Sequence, residues 1–274
     1  MSTAAQPRIS LLPCLLPVVS RLALVSCFAV LPPVAAATAP QAQTTPPGIV
    51  LIIDDMGNQQ LPGLRVINLD APVACAIMPH TAHATRLATQ AHAAGKEVIL
   101  HWPMQSVEMQ KWSGPGEISL DTSRDELNRI LERNLQSVPH ATGVSNHMGS
   151  LITRHPGHMG WLMEELSRRG NLYFIDSVTT PDSVAYRIAR QNGVPALRRH
   201  VFLDHEQTEA AVSEQFERLK ARAREYGYAI GIGHPYPVTL DFLEREIPLL
   251  QEEGIRLISM SELIKTQSAE VQRQ

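Results

Sequence analysis

From Gly48 onward the chain alternates between short apolar runs and longer stretches whose apolar residues recur at helical spacing, and this constrains the fold more than any other feature. The short runs are "IVLII", "VACAIM", "EVILHW", "TGVSN", "LYFID", "HVFLD", "AIGIG" and "RLISM". Helical periodicity is clearest over 82–94, 123–137, 158–169, 207–226 and 239–252. Ser123 stands three residues before Glu126, the pattern of a capped helix start. Parallel strands need crossovers and helices supply them, so strict alternation predicts a parallel sheet. About eight such units fit a closed or nearly closed barrel better than separate domains. The expected fold is therefore α/β, a distorted (β/α) barrel of seven or eight parallel strands in a single domain over 48–266. An open doubly wound sheet is the alternative. Neither GxGxxG nor GxxxxGK follows a strand, which argues against a nucleotide site. "GPG" at 114–116 falls in a long loop before Leu120 and reads as a mobile cover.

The ends of the chain read differently. Arg8 and Arg21 precede the apolar stretch "LALVSCFAVLPPVAAA", which closes on small residues at Ala35 to Ala37. That layout predicts a signal peptide over 1–37, a flexible lead-in over 38–47 and a periplasmic or secreted protein. An uncleaved anchor and a lipoprotein at Cys27 are the alternatives. Residues 267–274 read as a disordered tail. Of three cysteines only Cys75 lies beyond the signal, so the mature chain has no internal disulfide, and no disulfide-linked partner is expected. A net charge of -3 with no basic run argues against nucleic acid, and no stable membrane insertion is expected after cleavage.

Polar residues collect where strands stop. "IVLII" ends at Asp54-Asp55, "EVIL" at His101-Trp102, and "TGVS" at Asn146-His147. "LYFI" ends at Asp176-Ser177, "HVFL" at Asp204-His205, and "AIGIG" at His234. In a parallel barrel all these ends share one rim, the catalytic one. His80, His83, His92 and His140 read as solvated or capping residues, and His155 and His158 as local structure beside Pro156. Asp204 and His205 read as a helix-cap pair. His101, His147 and His234 each follow an apolar strand directly and need partners there.

An acid pair with three histidines is the donor set of a divalent metal, most naturally zinc. Such an ion lowers the pKa of a bound water and polarises a carbonyl. It also offsets the repulsion between two adjacent carboxylates, one ligating and the other free to accept a proton. Adjacent strand residues point to opposite faces, so both acids serve one site only if the strand bends there.

At these residues the chain resembles the divergent polysaccharide deacetylase family, relatives of the NodB-type carbohydrate esterases. "IIDDMG", "HWPMQ", "NHMGS", "FIDS" and "IGHPYPVTL" carry the resemblance in order, from Ile49 to about Ile264. It implies a distorted (β/α) barrel, a divalent metal and removal of N-acetyl groups from an amino-sugar polysaccharide. By motif, Asp54 is the base, Asp55 a metal ligand, His101 the first metal histidine and His234 the acid that protonates the leaving amine. Typical members carry a second histidine where this chain has Gln105, so His147 is the candidate third ligand. Asn146 and Ser177 are candidates for binding substrate and Asp176 for orienting a neighbour or binding substrate, with Trp102, Trp112 or Tyr236 stacking on a sugar. The departure at Gln105 leaves a second reading open, a catalytically degenerate protein that binds glycan or an envelope partner.

Overall fold

The structure is a computed structural model that describes residues 46–108 and 113–271. The expected signal peptide, nearly all of the lead-in and Trp112 lie outside the described residues. Among the described residues there are nine strands and eight helices. The strands are β1 (Gly48–Met56), β2 (Ala74–Ile77), β3 (Glu97–Met104), β4 (Ala141–Met148), β5 (Tyr173–Asp176), β6 (Ala196–Arg198), β7 (Val201–Phe202), β8 (Tyr228–Gly233) and β9 (Arg256–Leu257). The helices that separate or follow them are α1 (Gln60–Asn68), α2 (Ala84–Ala93), α3 (Arg124–Ser137), α4 (Pro156–Arg169), α5 (Ala185–Gln191), α6 (Glu209–Tyr226), α7 (Pro237–Glu246) and α8 (Met260–Val271).

All strand pairings are parallel, in the order β6-β5-β4-β3-β2-β1-β8-β7, with β9 added beside the start of β1. The two outer strands β6 and β7 are separated only by Arg199 and His200. The Arg199 N–H reaches the Asp176 carbonyl on one side, and the His200 N–H reaches the Ile230 carbonyl on the other. One bent segment thus closes the distorted barrel.

Alternation along each strand sorts the core into two shells. Ile49, Leu51 and Ile53 of β1 join the cluster under the helices, whereas Val50 and Ile52 join the barrel interior with Ile99, Ile175, Leu197, Ile230 and Ile232. Ile258, Met260 and Leu263 fill the amino end of that interior. Glu97, at the start of β3, accepts the Ser261 N–H at 3.1 Å, its two oxygens also capping the first turn of α8. The amino end is plugged, so polar groups facing inward have room only at the carboxyl end.

The helix starts follow local chemistry. Ser123 Oγ accepts the Glu126 N–H at the head of α3, and Thr208 Oγ1 accepts the Ala211 N–H at the head of α6. Proline at the first position opens α4 and α7. Three local expectations need correction. The helix expected to reach 252 stops at Glu246, where Pro248 and a tighter turn follow, and the tail expected to begin at 267 is still helical to Val271. The loop around Gly114–Gly116 is tied down rather than free at its described residues. The Gly116 carbonyl accepts from the Trp102 indole at 2.8 Å and from the Asn134 amide at 3.0 Å, and Ile118 bridges to Met104. Among the described residues no helix is long and apolar enough to cross a membrane.

Candidate metal centre

β1 carries Asp54 on its inward face, in step with Val50 and Ile52. Asp55 would then point outward, but its φ is +59° and the β1–β2 register shifts between Ile53 and Met56. Asp tolerates this left-handed geometry better than most residues. Gly57, at φ +121°, completes the bend; a Cβ there would stand 2.2 Å from Thr81 Oγ1. The bend brings both carboxylates to one side.

Three donor atoms converge beside the bend. Asp55 Oδ1 lies 2.8 Å from His147 Nδ1 and 3.3 Å from His101 Nε2, and those two nitrogens are 3.3 Å apart. Among the described residues, Asp55, His101 and His147 are the one group of three able to hold a metal. The triangle fits an ion: ligands bound at about 2.0–2.1 Å in a tetrahedral set stand about 3.3–3.4 Å from one another. His101 Nδ1 lies 2.8 Å from Ser145 Oγ in the buried interior, and donating there leaves Nε2 with its lone pair toward the triangle. Despite the short approach of His147, Asp55 Oδ1 receives no well-directed hydrogen bond, and neither does buried Asp54 Oδ1. Orphaned carboxylate oxygens beside two imidazole lone pairs are what a cation would satisfy.

The two acids are pushed in opposite directions. Burial raises the Asp54 pKa, His101 and His234 oppose it, and the net shift is upward. Burial also works to raise Asp55, but the two imidazoles against it overcome that and hold its carboxyl well below the usual range. Neighbouring titratable groups whose environments drive them apart in this way are the usual setting for an acid–base division of labour.

His234 enters from the end of β8, its Nε2 3.7 Å from Asp55 Oδ2. Its Nδ1 sits 2.9 Å from Asp204 Oδ1, while Asp204 Oδ2 accepts the His234 backbone N–H at 2.6 Å and the Thr239 hydroxyl at 2.8 Å. Burial opposes the imidazolium, but the Asp204 bond and the charges of Asp204, Asp55 and Asp54 outweigh it and raise the His234 pKa. Asp204 was expected to be a helix cap. It is instead a fully used buried carboxylate that fixes the ring of His234, whereas His205 is exposed and takes no part.

Three expected substrate contacts lie on the wrong face. Trp102 is fully buried under the helices with its indole N–H bonded to Gly116, so no sugar can stack on it. Asn146 is fully buried with its amide spent on the Met148 carbonyl and the Ser177 N–H. Asp176 is likewise consumed by the Val178 N–H, the Ser183 hydroxyl and the Tyr186 N–H. Those bonds hold Val178 at φ +50°, costly for a β-branched residue. Ser177 does turn inward, and its buried hydroxyl has no partner. Tyr236 is half-buried, its ring stacked on His234 at 5.3 Å between centroids. Gln105 accepts the Leu120 N–H with its side-chain oxygen and adds nothing to the triangle. Beyond Asp204, the expected set lacked Ser145 behind His101 and Arg199, whose guanidinium clamps the Ser177 and Val178 carbonyls at 2.7 and 2.8 Å. Inward parity along β4 and β6 was the signal for both.

The model of the family described as divergent polysaccharide deacetylase matches residues 51–264. The chain belongs to the divergent polysaccharide deacetylase family. The uncharacterized protein YibQ of Escherichia coli K12 is 37% identical over 216 residues, covering 79% of this chain and 67% of that one. The crystal structure of the uncharacterized protein ATU2773 from Agrobacterium tumefaciens superposes with a TM-score of 0.76 at 21% identity, over 82% of this chain and 92% of that one. BA3943 of Bacillus anthracis, a CE4 family pseudoenzyme, shares the fold at a TM-score of 0.51 and 14% identity, over 81% and 66% of the two chains. The barrel is thus that of NodB-like deacetylases. A fold shared with a pseudoenzyme carries no activity by itself, so in this member of the divergent polysaccharide deacetylase family any chemistry has to come from the side chains.

Proposed function

We propose that the protein is an exported metal-dependent hydrolase that removes N-acetyl groups from an amino-sugar polysaccharide. Membership of the deacetylase family supports the substrate class. The single observation that carries the chemistry is the donor triangle of Asp55, His101 and His147, flanked by a free buried carboxylate and an oriented histidine. A divalent ion held there, zinc being the best match to one carboxylate and two imidazoles, would supply a carbonyl-polarising Lewis acid and a water of lowered pKa.

The chain's own groups do the rest. Asp54, unencumbered at Oδ1, takes the proton of the water that attacks the N-acetyl carbonyl carbon. His234 Nε2 faces the same space and hands a proton to the nitrogen of the departing amine. Asp204 keeps the other ring nitrogen protonated and the ring in place. The C–N bond breaks, giving acetate and a free amino sugar. Acid–base assistance of this kind is worth roughly 10²–10⁴-fold. Export rests on the sequence pattern of residues 1–37 alone.

The test couples metal content to turnover. The wild type, loaded with zinc, should bind one equivalent and release acetate from N-acetylated amino-sugar oligomers. Asp55→Ala should lose the metal. His234→Ala should keep it while turnover falls by about 10²–10⁴-fold. A metal content indifferent to Asp55→Ala overturns the centre. Glycan binding with no metal and no acetate release would favour the degenerate binding protein, and release from other amides or esters alone would move the substrate class.

A further inference from the structure

Beside Asp55, lined by neither Asp54 nor His101, lies a cleft of about 180 Å³ that the chemistry above does not use. Its walls are the turn after β1 with the first turn of α1, contributing Asn58, Gln59 and Pro62, and the turn after β8, contributing Pro235 and Tyr236, with Asp55 also lining it. It would hold about six waters, which is room for one sugar ring. Among the described residues neither Asn58 nor Gln59 has a side-chain hydrogen-bond partner, and both are exposed.

We propose that this cleft is a subsite for the sugar residue next to the one that reacts, read by the carboxamides of Asn58 and Gln59 and by the ring faces of Tyr236, Pro62 and Pro235. The assignment rests on the deacetylase reading for the reacting group and deepens it, making the preferred substrate a chain of at least two sugars.

Several properties converge on this ligand class. A carboxamide offers two donors and an acceptor, matching hydroxyl and N-acetyl groups that both give and take hydrogen bonds. No lysine or arginine lines the cleft, so its own side chains suit a neutral ligand better than a phosphate or carboxylate. The proline and tyrosine rings supply flat apolar walls for the C–H face of a sugar. The platform is also stiff. Gly57 admits no side chain, its carbonyl accepts the His83 N–H at 2.9 Å, and Thr81 Oγ1 is tied to the Met78 carbonyl. Asn58 and Gln59 therefore project from a fixed turn next to a fixed ligand, and little ordering is needed when a sugar docks.

The test is calorimetric binding of β-linked N-acetylglucosamine oligomers of one to four units to zinc-loaded wild type and to an Asn58→Ala/Gln59→Ala double variant. Acetate release and bound zinc are measured in parallel. Both substituted positions are exposed, so folding is not at stake, and Tyr236 is left intact because it backs His234. Wild-type affinity should rise by about tenfold or more from one unit to two, as two added hydrogen bonds allow. The double variant should lose that gain while binding the monomer and zinc as the wild type does. A double variant that keeps the length dependence, an equal loss for monomer and dimer, or a wild type that binds no oligomer better than the monomer overturns the subsite. If the length dependence vanishes in the variant but no acetate is ever released, the subsite stands and the hydrolase reading fails.

Discussion

Asp204 shows how much one carboxylate can decide. Its two oxygens collect the ring N–H of His234, the backbone N–H of the same residue and the hydroxyl of Thr239. It is buried, so each of those bonds is made in a medium where losing one is expensive. Replacing it by Asn would present an amide N–H to Nδ1 and favour the ring tautomer that leaves Nε2 protonated at rest and unable to cycle. Asp204→Asn should therefore retain bound zinc yet lose turnover by about 10²- to 10⁴-fold, the range for losing an acid–base group outright. Measuring metal content and kcat together checks it, and a variant with wild-type kcat would reduce Asp204 to a packing residue. Such substitutions also separate the two acids at the end of β1: Asp54→Asn should spare metal binding, because the triangle does not include it, and abolish turnover.

At the level of elements, the bend after β1 is the device on which the site depends. An unbent strand would send Asp55 toward the helices. The geometry is held by Gly57, whose φ of +121° and 2.2 Å virtual approach to Thr81 Oγ1 leave no space for a side chain. Gly57→Ala should destabilise the protein by at least about 1 kcal/mol, seen as a Tm lower by about 2–4 °C per kcal/mol. It should also weaken zinc binding, because Asp55 moves with the turn. Unchanged zinc affinity in that variant would mean the bend is set elsewhere. The caps behave more simply. Ser123→Ala removes the acceptor for the Glu126 N–H and should cost about 1 kcal/mol in chemical denaturation without touching the metal.

The whole molecule is closed by the short segment between β6 and β7, and His200 sits in that seam. Its Nδ1 accepts the Ile230 N–H at 3.0 Å, which requires that nitrogen to be unprotonated. Burial first, then the charges of Arg222 and Arg198, lower its pKa to about 4. A folded-state pKa below the unfolded value of about 6.5 stabilises the fold fully above pH ~6.5, and that contribution is lost as pH falls toward ~4. Unfolding midpoints in denaturant should therefore decline over this window, and His200→Asn, which keeps an acceptor but cannot be charged, should flatten the decline. If the acid limb is identical in both proteins, the seam is not where acid acts.

Local pattern alone supplied the order of the eight apolar strands, five of the helices, the parallel architecture and the rim on which Asp54, Asp55, His101, His147 and His234 would meet. These are near-neighbour properties: alternation of period, a capping serine, a polar residue where an apolar run stops. The short β6 and the helices α1, α5 and α8 were not legible, since α1 contains Pro62 and Gly63 and α5 has only seven residues. Which of two adjacent strand-end residues faces inward was decided by tertiary structure. Trp102, Asn146 and Asp176 turned toward the helices, while His101, His147 and Ser177 turned toward the mouth. That choice follows from register and barrel closure, where a shift of one residue exchanges the faces. The pairing of Asp204 with His234, thirty residues apart, likewise exists only because β7 and β8 are neighbours. A one-dimensional pattern records which residues end strands; the folded barrel alone determines which of them share a space.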